Sequence, residues 1–220
     1  MQKPKALIFS TMFRFVLLLT CAILLLLVLD QYGVPKWVTI VIVFTLFMII
    51  SAVWPFYIIY KSKSIRSIER YVIRNYKKPI FGYSYALGHG TKQDVEDALK
   101  RIINSYGQGD MQGVYGAQLA LIQNNSKKVL EQALKIEGQE YKEYYTGLAY
   151  VMNRNYTKAE ESLASLHTPW MQHSLRAYAA LKRQQLDDFN HQSELSVTSA
   201  EGMQRLVLHH MMRRFRDGDF

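Results

Sequence analysis

Histidines and carboxylates are the residues that could bind a metal or transfer protons, and their spacing in this sequence does not favour either role. His209 and His210 are adjacent, so on a helix their side chains would point about 100° apart and could not chelate one ion together. His167 and His173 lie on either side of Pro169, which is a poor spacing for a rigid metal site. We therefore predict no metal site and no bound cofactor.

The sequence also gives little indication of acid–base or nucleophilic catalysis. The carboxylates of Glu160-Glu161 and Asp187-Asp188 are neighbours in sequence, and neighbours on a helix do not face each other. The sequence has no nucleophile elbow and no P-loop, and the segment 87–90 (Leu-Gly-His-Gly) lacks the dinucleotide-binding pattern. We predict that the protein is not an enzyme and has no small-molecule substrate.

The composition and the charge distribution favour a membrane as partner. The chain has 220 residues, of which 49% are hydrophobic and 20% charged, as is typical of folded proteins. Its net charge is +9, and the whole basic excess lies in residues 1–90, together with the long apolar runs. This arrangement favours a membrane over a nucleic acid, and no nucleic acid is expected. The single cysteine excludes an intramolecular disulfide.

Two apolar runs, about residues 8–29 and 37–60, predict a transmembrane helical hairpin in residues 1–60. A helix of about 20 apolar residues crosses the ~30 Å hydrocarbon core, and both runs are long enough. Gly33 and Pro35 in the short link predict a tight turn between the two helices. A cleaved signal peptide fits less well, because no small-residue cleavage site follows the first run.

Basic flanks predict the orientation of this hairpin, since positive charge stays on the cytoplasmic side. The N-terminal flank and the segment after Tyr60 are basic, whereas the link holds one base and one acid. We expect a two-span protein of a bacterial cell membrane, with both termini cytoplasmic.

Residues 61–90 predict a basic helix beside the membrane and then a linker. Ile65, Ile68, Val72 and Tyr76 recur at helical spacing, whereas residues 79–90 are rich in turn formers. The bases could serve orientation alone, bind anionic lipid of the inner leaflet, or bind an acidic protein or RNA. The residues expected at the lipid headgroups are Lys61, Lys63, Arg66, Arg70, Arg74, Lys77 and Lys78.

Residues 91–220 predict helices throughout, so the expected fold class is all-α. Apolar residues recur at helical spacing, and Thr91 with Asp94 has the spacing of a capping box. The last helix is expected to cap the stack with its polar side outward. The predicted helices cover roughly 92–106, 110–123, 126–137, 139–153, 157–166, 170–184, 186–196 and 199–215.

A period of 30 residues runs through this region and predicts stacked helix pairs. Small residues recur where paired helices would approach each other closely, at Ala117, Gly147 and Ala177. Two further series keep the same interval: Ala120, Tyr150 and Ala180, and Val129, Ala159 and Phe189.

Residues 144–163 resemble a tetratricopeptide repeat. The resemblance rests on small, aromatic, aromatic, small and large apolar positions in that order, namely Gly147, Tyr150, Tyr156, Ala159 and Leu163. The resemblance implies a helical solenoid whose first helices line a groove for peptides or protein segments. Carried over by position, the groove residues would be Tyr141, Tyr144, Leu148, Val151 and Met152. The alternative is that these five side chains belong to the ordinary core of a compact bundle.

Two functions fit these features. The first is a membrane-anchored adaptor whose cytoplasmic tetratricopeptide-like domain recruits a protein partner. The second is an accessory subunit that docks through its transmembrane hairpin onto an integral membrane enzyme or transporter.

Overall fold

The computed structural model describes residues 20, 22–106 and 109–220, without the side chains of residues 50 and 51. In this part of the chain all regular secondary structure is helical. The contacts divide the chain into two compact units, Met1–Ile59 and Tyr60–Phe220.

The first unit contains α1 (residues 22–31), α2 (Lys36–Met48), a π-helical segment (Ile49–Val53) and most of α3 (Trp54–Tyr60). A tight turn follows α1, in which the amide of Gly33 donates to the carbonyl of Asp30. Gly33 has a φ of 68°, a left-handed conformation that glycine adopts without strain. Many large apolar side chains of this unit are exposed, Trp37 and Phe44 among them.

The predicted transmembrane hairpin is wrong, because none of the helices among the described residues is long and apolar enough to span a bilayer. Residues 36–60 form three successive pieces, and the longest of them, α2, has 13 residues. At 1.5 Å per residue α2 extends about 20 Å, whereas the hydrocarbon core is ~30 Å thick. The expected two-span protein of the cell membrane with cytoplasmic termini is contradicted by the same finding. Residues 8–19 and 21 of the first predicted run lie outside the described residues.

The second unit is built from helices that pack against one another, which is compatible with a helical repeat fold. Its described helices are α4 (Ile65–Asn75), α5 (Pro79–His89), α6 (Lys92–Ser105), α7 (Asp110–Ile122), α8 (Ser126–Ala133), α9 (Gln139–Met152), α10 (Tyr156–Ala164), α11 (Pro169–Lys182), α12 (Leu186–Ser199) and α13 (Gly202–Asp217).

The predicted linker at residues 79–90 is instead the helix α5, and it belongs to the core. Pro79 occupies the first turn, where its missing N–H breaks no helical hydrogen bond. Tyr83 and Leu87 are 1% and 0% exposed. The glycines that indicated turns lie within the helix or at its end, where packing against α4, α6 and α13 stabilises it.

The 30-residue period is visible in the backbone of the turns that join α7 to α8, α9 to α10 and α11 to α12. Asn124, Arg154 and Gln184 all adopt left-handed conformations, with φ of 53°, 57° and 62°. The amide after each of them donates to a carbonyl five residues back, at 2.9 Å in all three turns. This is the Schellman arrangement, which satisfies carbonyls at a helix end. Three successive helix pairs therefore share one turn geometry.

Small residues allow neighbouring helices to approach each other, both within a pair and between successive pairs. A Cβ added to Gly147 on α9 would lie 2.7 Å from Leu175 Cδ2 and 3.2 Å from Ser162 Cβ. Ala117 and Ala177, one period before and after, are both 0% exposed. The sequence series therefore marks close helix contacts, as predicted.

The last helix, α13, returns to the beginning of the second unit. It packs against α11 and α12 and also against α4 and α5. Arg214 on α13 is 6% exposed, and its guanidinium donates to the carbonyls of Ala86, Leu87 and Gly90 at the end of α5. A cation at a helix C-terminus is stabilised by the helix dipole. The polar side of α13 was expected to face outward, but only part of it does: Arg213 and Arg216 are exposed, whereas Arg214 is buried.

Candidate functional site

A cavity of about 320 Å³ lies between the first helices of the stack and α13. The helices α5, α7, α9 and α11 form one side of it, and α13 forms the other. The lining residues are Ile80, Tyr83, Ser84, Asp110, Met111, Val114, Tyr115, Gln118, Leu121, Tyr141, Tyr144, Tyr145, Leu148, Trp170, Ser174, Tyr178, Met203, Gln204, Val207, Leu208, Met211 and Phe215.

The repeat places equivalent positions of successive helices on the cavity wall. Ser84, Val114, Tyr144 and Ser174 follow one another at the 30-residue interval, and all four line the cavity. Two further lining series keep this interval, Tyr115 with Tyr145, and Gln118 with Leu148 and Tyr178. The wall is thus a consequence of the stacking and not of any one helix.

Aromatic rings dominate the wall and contact one another edge to face. Tyr144 packs against Trp170 with ring centroids 5.5 Å apart, and against Tyr145 at 5.1 Å. Tyr83 packs against Tyr115 at 6.1 Å, again nearly perpendicular. Edge-to-face pairs of this kind add stability beyond the apolar area that they bury.

Two polar atoms of the wall are buried without a hydrogen-bond partner among the described residues. They are the hydroxyl of Tyr83 and the Oε1 of Gln118. By contrast, the Tyr144 hydroxyl shares a hydrogen bond of 2.7 Å with Ser174. An unpaired buried polar group costs about 1–3 kcal/mol, so these two atoms reduce the stability of the wall.

The tyrosines of the wall are neutral at physiological pH. Burial raises the pKa of Tyr144 to about 12 and also raises the pKa of Tyr83 and Tyr178. Uncharged phenols can donate and accept hydrogen bonds and stack, but they are poor nucleophiles. The wall is therefore suited to binding.

Two carboxylates hold the loops at the start of successive repeats. Asp110 accepts hydrogen bonds from the amides of Glu137 and Gly138, and Glu140 accepts from the amides of His167 and Thr168. Burial alone would raise the pKa of Glu140, but these hydrogen bonds outweigh it and lower the pKa. Both carboxylates are thus occupied by the backbone of the next repeat.

The structure brings only part of the predicted groove together. Tyr141, Tyr144 and Leu148 line the cavity, whereas Val151 and Met152 do not. Val151 is 0% exposed and belongs to the core. α13 covers the face of the first helices that would form the groove. The groove alternative therefore describes Tyr141, Tyr144 and Leu148 in part, and the core alternative describes Val151.

The repeat-signature residues have mainly packing roles. Ala159 and Leu163 are buried on α10, the helix whose Ser162 lies close to Gly147. Tyr150 is half-buried, with the ammonium of Lys158 5.5 Å from its ring centroid. Tyr156 is also half-buried, and the guanidinium of Arg183 lies 4.1 Å from its ring centroid.

The basic segment 61–78 is part of the second unit. Lys61 and Lys63 pair with Glu201 at 3.4 and 3.8 Å. The apolar stripe that we expected to face lipid packs into the protein instead, with Ile68 and Val72 0% and 1% exposed. Arg74 is half-buried and the remaining four bases, Arg66, Arg70, Lys77 and Lys78, are exposed. Contact of these bases with lipid headgroups stays a prediction.

The histidines of α13 belong to a small polar cluster outside the cavity. His210 Nε2 lies 3.7 Å from the Glu69 carboxylate, and His89 Nε2 lies 3.2 Å from the same oxygen. Among the described residues no group of three or more metal-ligating side chains is arranged to hold an ion.

In comparisons with known proteins, the chain matches no protein-family model, no curated protein and no solved structure. What the described structure supports is an all-α protein whose packed helices are compatible with a helical repeat fold.

Sequence reasoning missed the contributions of α5, α11 and α13 to the cavity. Tyr83 lies in the predicted linker, although Pro79 four residues earlier is a typical helix start. Tyr115 was detectable, because it stands one period before Tyr145. Met203 had no such signal, since the positions one and two periods before it, His173 and Glu143, do not line the cavity.

Proposed function

We propose that this protein is an adaptor whose helical domain recruits a protein partner, as the tetratricopeptide-like positions of residues 144–163 imply. The partner segment binds at the mouth of the cavity and inserts an apolar side chain into it. The observation that carries this proposal is a set of apolar and aromatic lining residues at helix starts that also reach solvent. We call these residues the cavity mouth: Met111, Tyr141, Trp170 and Met203.

The cavity mouth has a common structural origin. Each of its residues lies in the first turn of a helix, on α7, α9, α11 and α13 respectively. The starts of these four helices therefore all contribute to the cavity. Tyr141 is 40% exposed, and its ring lies 6.3 Å from that of Trp170.

The chemistry of the cavity mouth is that of an interface hot spot. The few residues that supply most of the binding energy at protein interfaces are enriched in tryptophan and tyrosine. Methionine is flexible and polarisable, so it adapts to side chains of different shape. No Lys, Arg or His is among the lining residues of this described cavity, and Asp110 already accepts backbone hydrogen bonds. An apolar or aromatic anchor is therefore favoured over a charged one.

The position of α13 distinguishes this proposal from the open groove of the family that the sequence resembles. Leu208 and Met211 of α13 cover the cavity-lining face of α5, α7, α9 and α11, and they are 4% and 6% exposed. A partner that leaves α13 in place reaches only the cavity mouth. The proposed contact is consequently short and centred on one or two anchor residues.

The test is recovery of a partner with the full-length protein and with matched variants. Trp170→Ala and Tyr141→Ala each shorten a mouth residue, whereas Leu186→Ala shortens a side chain that is 57% exposed and does not line the cavity. We expect a partner, identified by mass spectrometry, to bind the two mouth variants at least tenfold more weakly, since hot-spot truncations cost about 2 kcal/mol or more. Undiminished binding to both mouth variants, with melting temperatures like that of the wild type, would refute the proposal.

A further inference from the structure

The bases of segment 61–78 are a charged feature that the proposed function leaves unused. The segment holds seven Lys and Arg against one acid, Glu69, whereas residues 79–220 hold sixteen bases and sixteen acids. The positive excess of the second unit therefore lies in this one segment. Such a local excess favours an anionic partner.

The fold leaves four of these bases without a counter-charge. Lys61 and Lys63 pair with Glu201, and the Glu69 carboxylate lies 3.2 and 3.7 Å from histidine nitrogens of α5 and α13. Four exposed bases remain, and among the described residues none of them pairs with a carboxylate. We call these four the basic patch: Arg66, Arg70, Lys77 and Lys78.

The arginines of the basic patch project away from the protein. Ile68 is 0% exposed and marks the buried side of α4. Arg66 and Arg70 each stand two positions from Ile68, which on a helix is about 160° around the axis. They are four positions apart and therefore share one side of the helix. The two lysines of the patch follow in the turn between α4 and α5.

The basic patch offers charge without an apolar groove. The apolar stripe of α4 is buried in the protein, with Ile68 and Val72 0% and 1% exposed, so it is not available to a ligand. None of the four bases lines the cavity described above. The matching partner is therefore a surface that presents many anions and needs no pocket. Anionic lipid and nucleic acid both present phosphates in this way.

The aromatic rings near the basic patch favour lipid over single-stranded nucleic acid. Tyr71 packs edge to face against Phe81 with ring centroids 5.5 Å apart, and Tyr76 packs against Tyr85 at 5.6 Å. Proteins that bind single strands without sequence preference combine positive charge with aromatic rings that are free to stack on bases. Here both tyrosines are half-buried and already packed against other rings.

We propose that the basic patch binds the anionic headgroups of a lipid bilayer at its surface. Clusters of four to eight Lys and Arg are typical of segments that bind anionic lipid. In the first unit, taken by itself, Trp37 and Trp54 are largely exposed, and tryptophan favours the headgroup region of a bilayer. Contact at the surface requires no helix that crosses the bilayer.

The experiment measures co-sedimentation of the full-length protein with two kinds of vesicle. One is phosphatidylcholine with about a third phosphatidylglycerol, and the other is phosphatidylcholine alone. Each base near an anionic surface strengthens binding roughly fivefold, the equivalent of about 1 kcal/mol. We expect the anionic vesicles to bind at least about tenfold more tightly than the neutral ones. Raising the salt from about 0.1 to about 1 M shortens the Debye length from ~10 to ~3 Å and should remove most of this preference.

Two adjacent lysine pairs provide matched variants. Replacement of Lys77 and Lys78 by glutamine should weaken binding to anionic vesicles roughly tenfold or more. Replacement of Lys127 and Lys128, an exposed pair on α8, removes the same charge and should weaken it less than about threefold. A second variant, Arg66→Gln with Arg70→Gln, repeats the test within α4. All these side chains are exposed, so melting temperatures like that of the wild type are expected.

Three results would overturn the proposal. The first is equal binding to anionic and neutral vesicles, and the second is an equal loss of binding in the patch variants and the α8 variant. The third is tighter binding to a duplex or single-stranded oligonucleotide than to anionic vesicles, with dependence on the same bases, which would assign the patch to nucleic acid. Trp170→Ala should bind vesicles like the wild type, so failure here leaves the proposed recruitment standing, and the reverse also holds.

Discussion

Replacement of Arg214 by methionine tests whether α13 is held onto the start of the second unit by its buried guanidinium. Arg214 Nε donates to the Leu87 carbonyl at 2.6 Å, and its Nη2 donates to the carbonyls of Ala86 and Gly90. The last carbonyls of a helix have no partner within the helix. Methionine fills a similar volume but donates no hydrogen bond, so the end of α5 loses its partner.

The expected loss of stability follows from these hydrogen bonds. The Ala86 carbonyl keeps a bond from the amide of Gly90 at 2.7 Å, so only the carbonyls of Leu87 and Gly90 depend on Arg214. Hydrogen bonds to a charged group contribute about 1.5–3 kcal/mol each, and removal of the buried cation recovers part of its desolvation cost. We expect a net loss of about 3 kcal/mol, which for a domain of this size lowers the melting temperature by about 6–12 °C.

The assay is thermal unfolding of the full-length protein, with Arg216→Met as the control. The Arg216 side chain is 54% exposed on the same helix, and its one ion pair among the described residues is with its neighbour Asp217. Its replacement should change the stability by less than about 0.5 kcal/mol. If Arg214→Met and Arg216→Met melt at the same temperature, the guanidinium does not hold α13 in place and the reasoning fails.

Two further predictions concern packing and pH. Ala159→Leu should lower stability by about 1–3 kcal/mol, because the close packing around this buried alanine leaves no room for a larger side chain. Glu160→Leu, on the exposed side of the same helix, should change stability little. Equal melting temperatures of the two variants would show that α10 is not packed as described. Burial, together with nearby cationic groups, lowers the pKa of His210 to about 3. The unfolded chain then binds more protons below about pH 6.5, so stability should fall by up to about 2 kcal/mol between pH 7 and 5. His210→Gln should lose this part of the pH dependence, and an identical pH profile for both proteins would contradict it. The groups that face His210 are Glu69, His89, His209, Arg213 and Arg214.

Local patterns predicted much of the second unit because local physics forms its helices. The capping box of Thr91 and Asp94 is present, with hydrogen bonds in both directions. The eight helices expected between residues 91 and 220 all occur, with ends shifted by a few residues. Arg154 and Gln184 could not be identified as left-handed turn residues from their types, since asparagine and glycine are the usual ones.

An amphipathic pattern predicts that an apolar helix face is buried, but it does not predict whether lipid or protein buries it. The stripe of Ile68 and Val72 has the same spacing whether lipid or protein buries it, and in the structure protein does. A long apolar run likewise predicts burial without predicting an unbroken helix. The run from Trp37 to Tyr60 became α2, a π-helical segment and α3.

The sequence by itself determined the helices of the repeat region and their 30-residue interval, because capping, helical periodicity and small-residue spacing act over one or two helices. Only the tertiary structure decided that α13 returns to α5 and closes a cavity. That closure depends on contacts such as Arg214 with Leu87, which are 127 residues apart in the chain. Such contacts leave no local pattern, since each partner is an ordinary residue until the fold brings the two together.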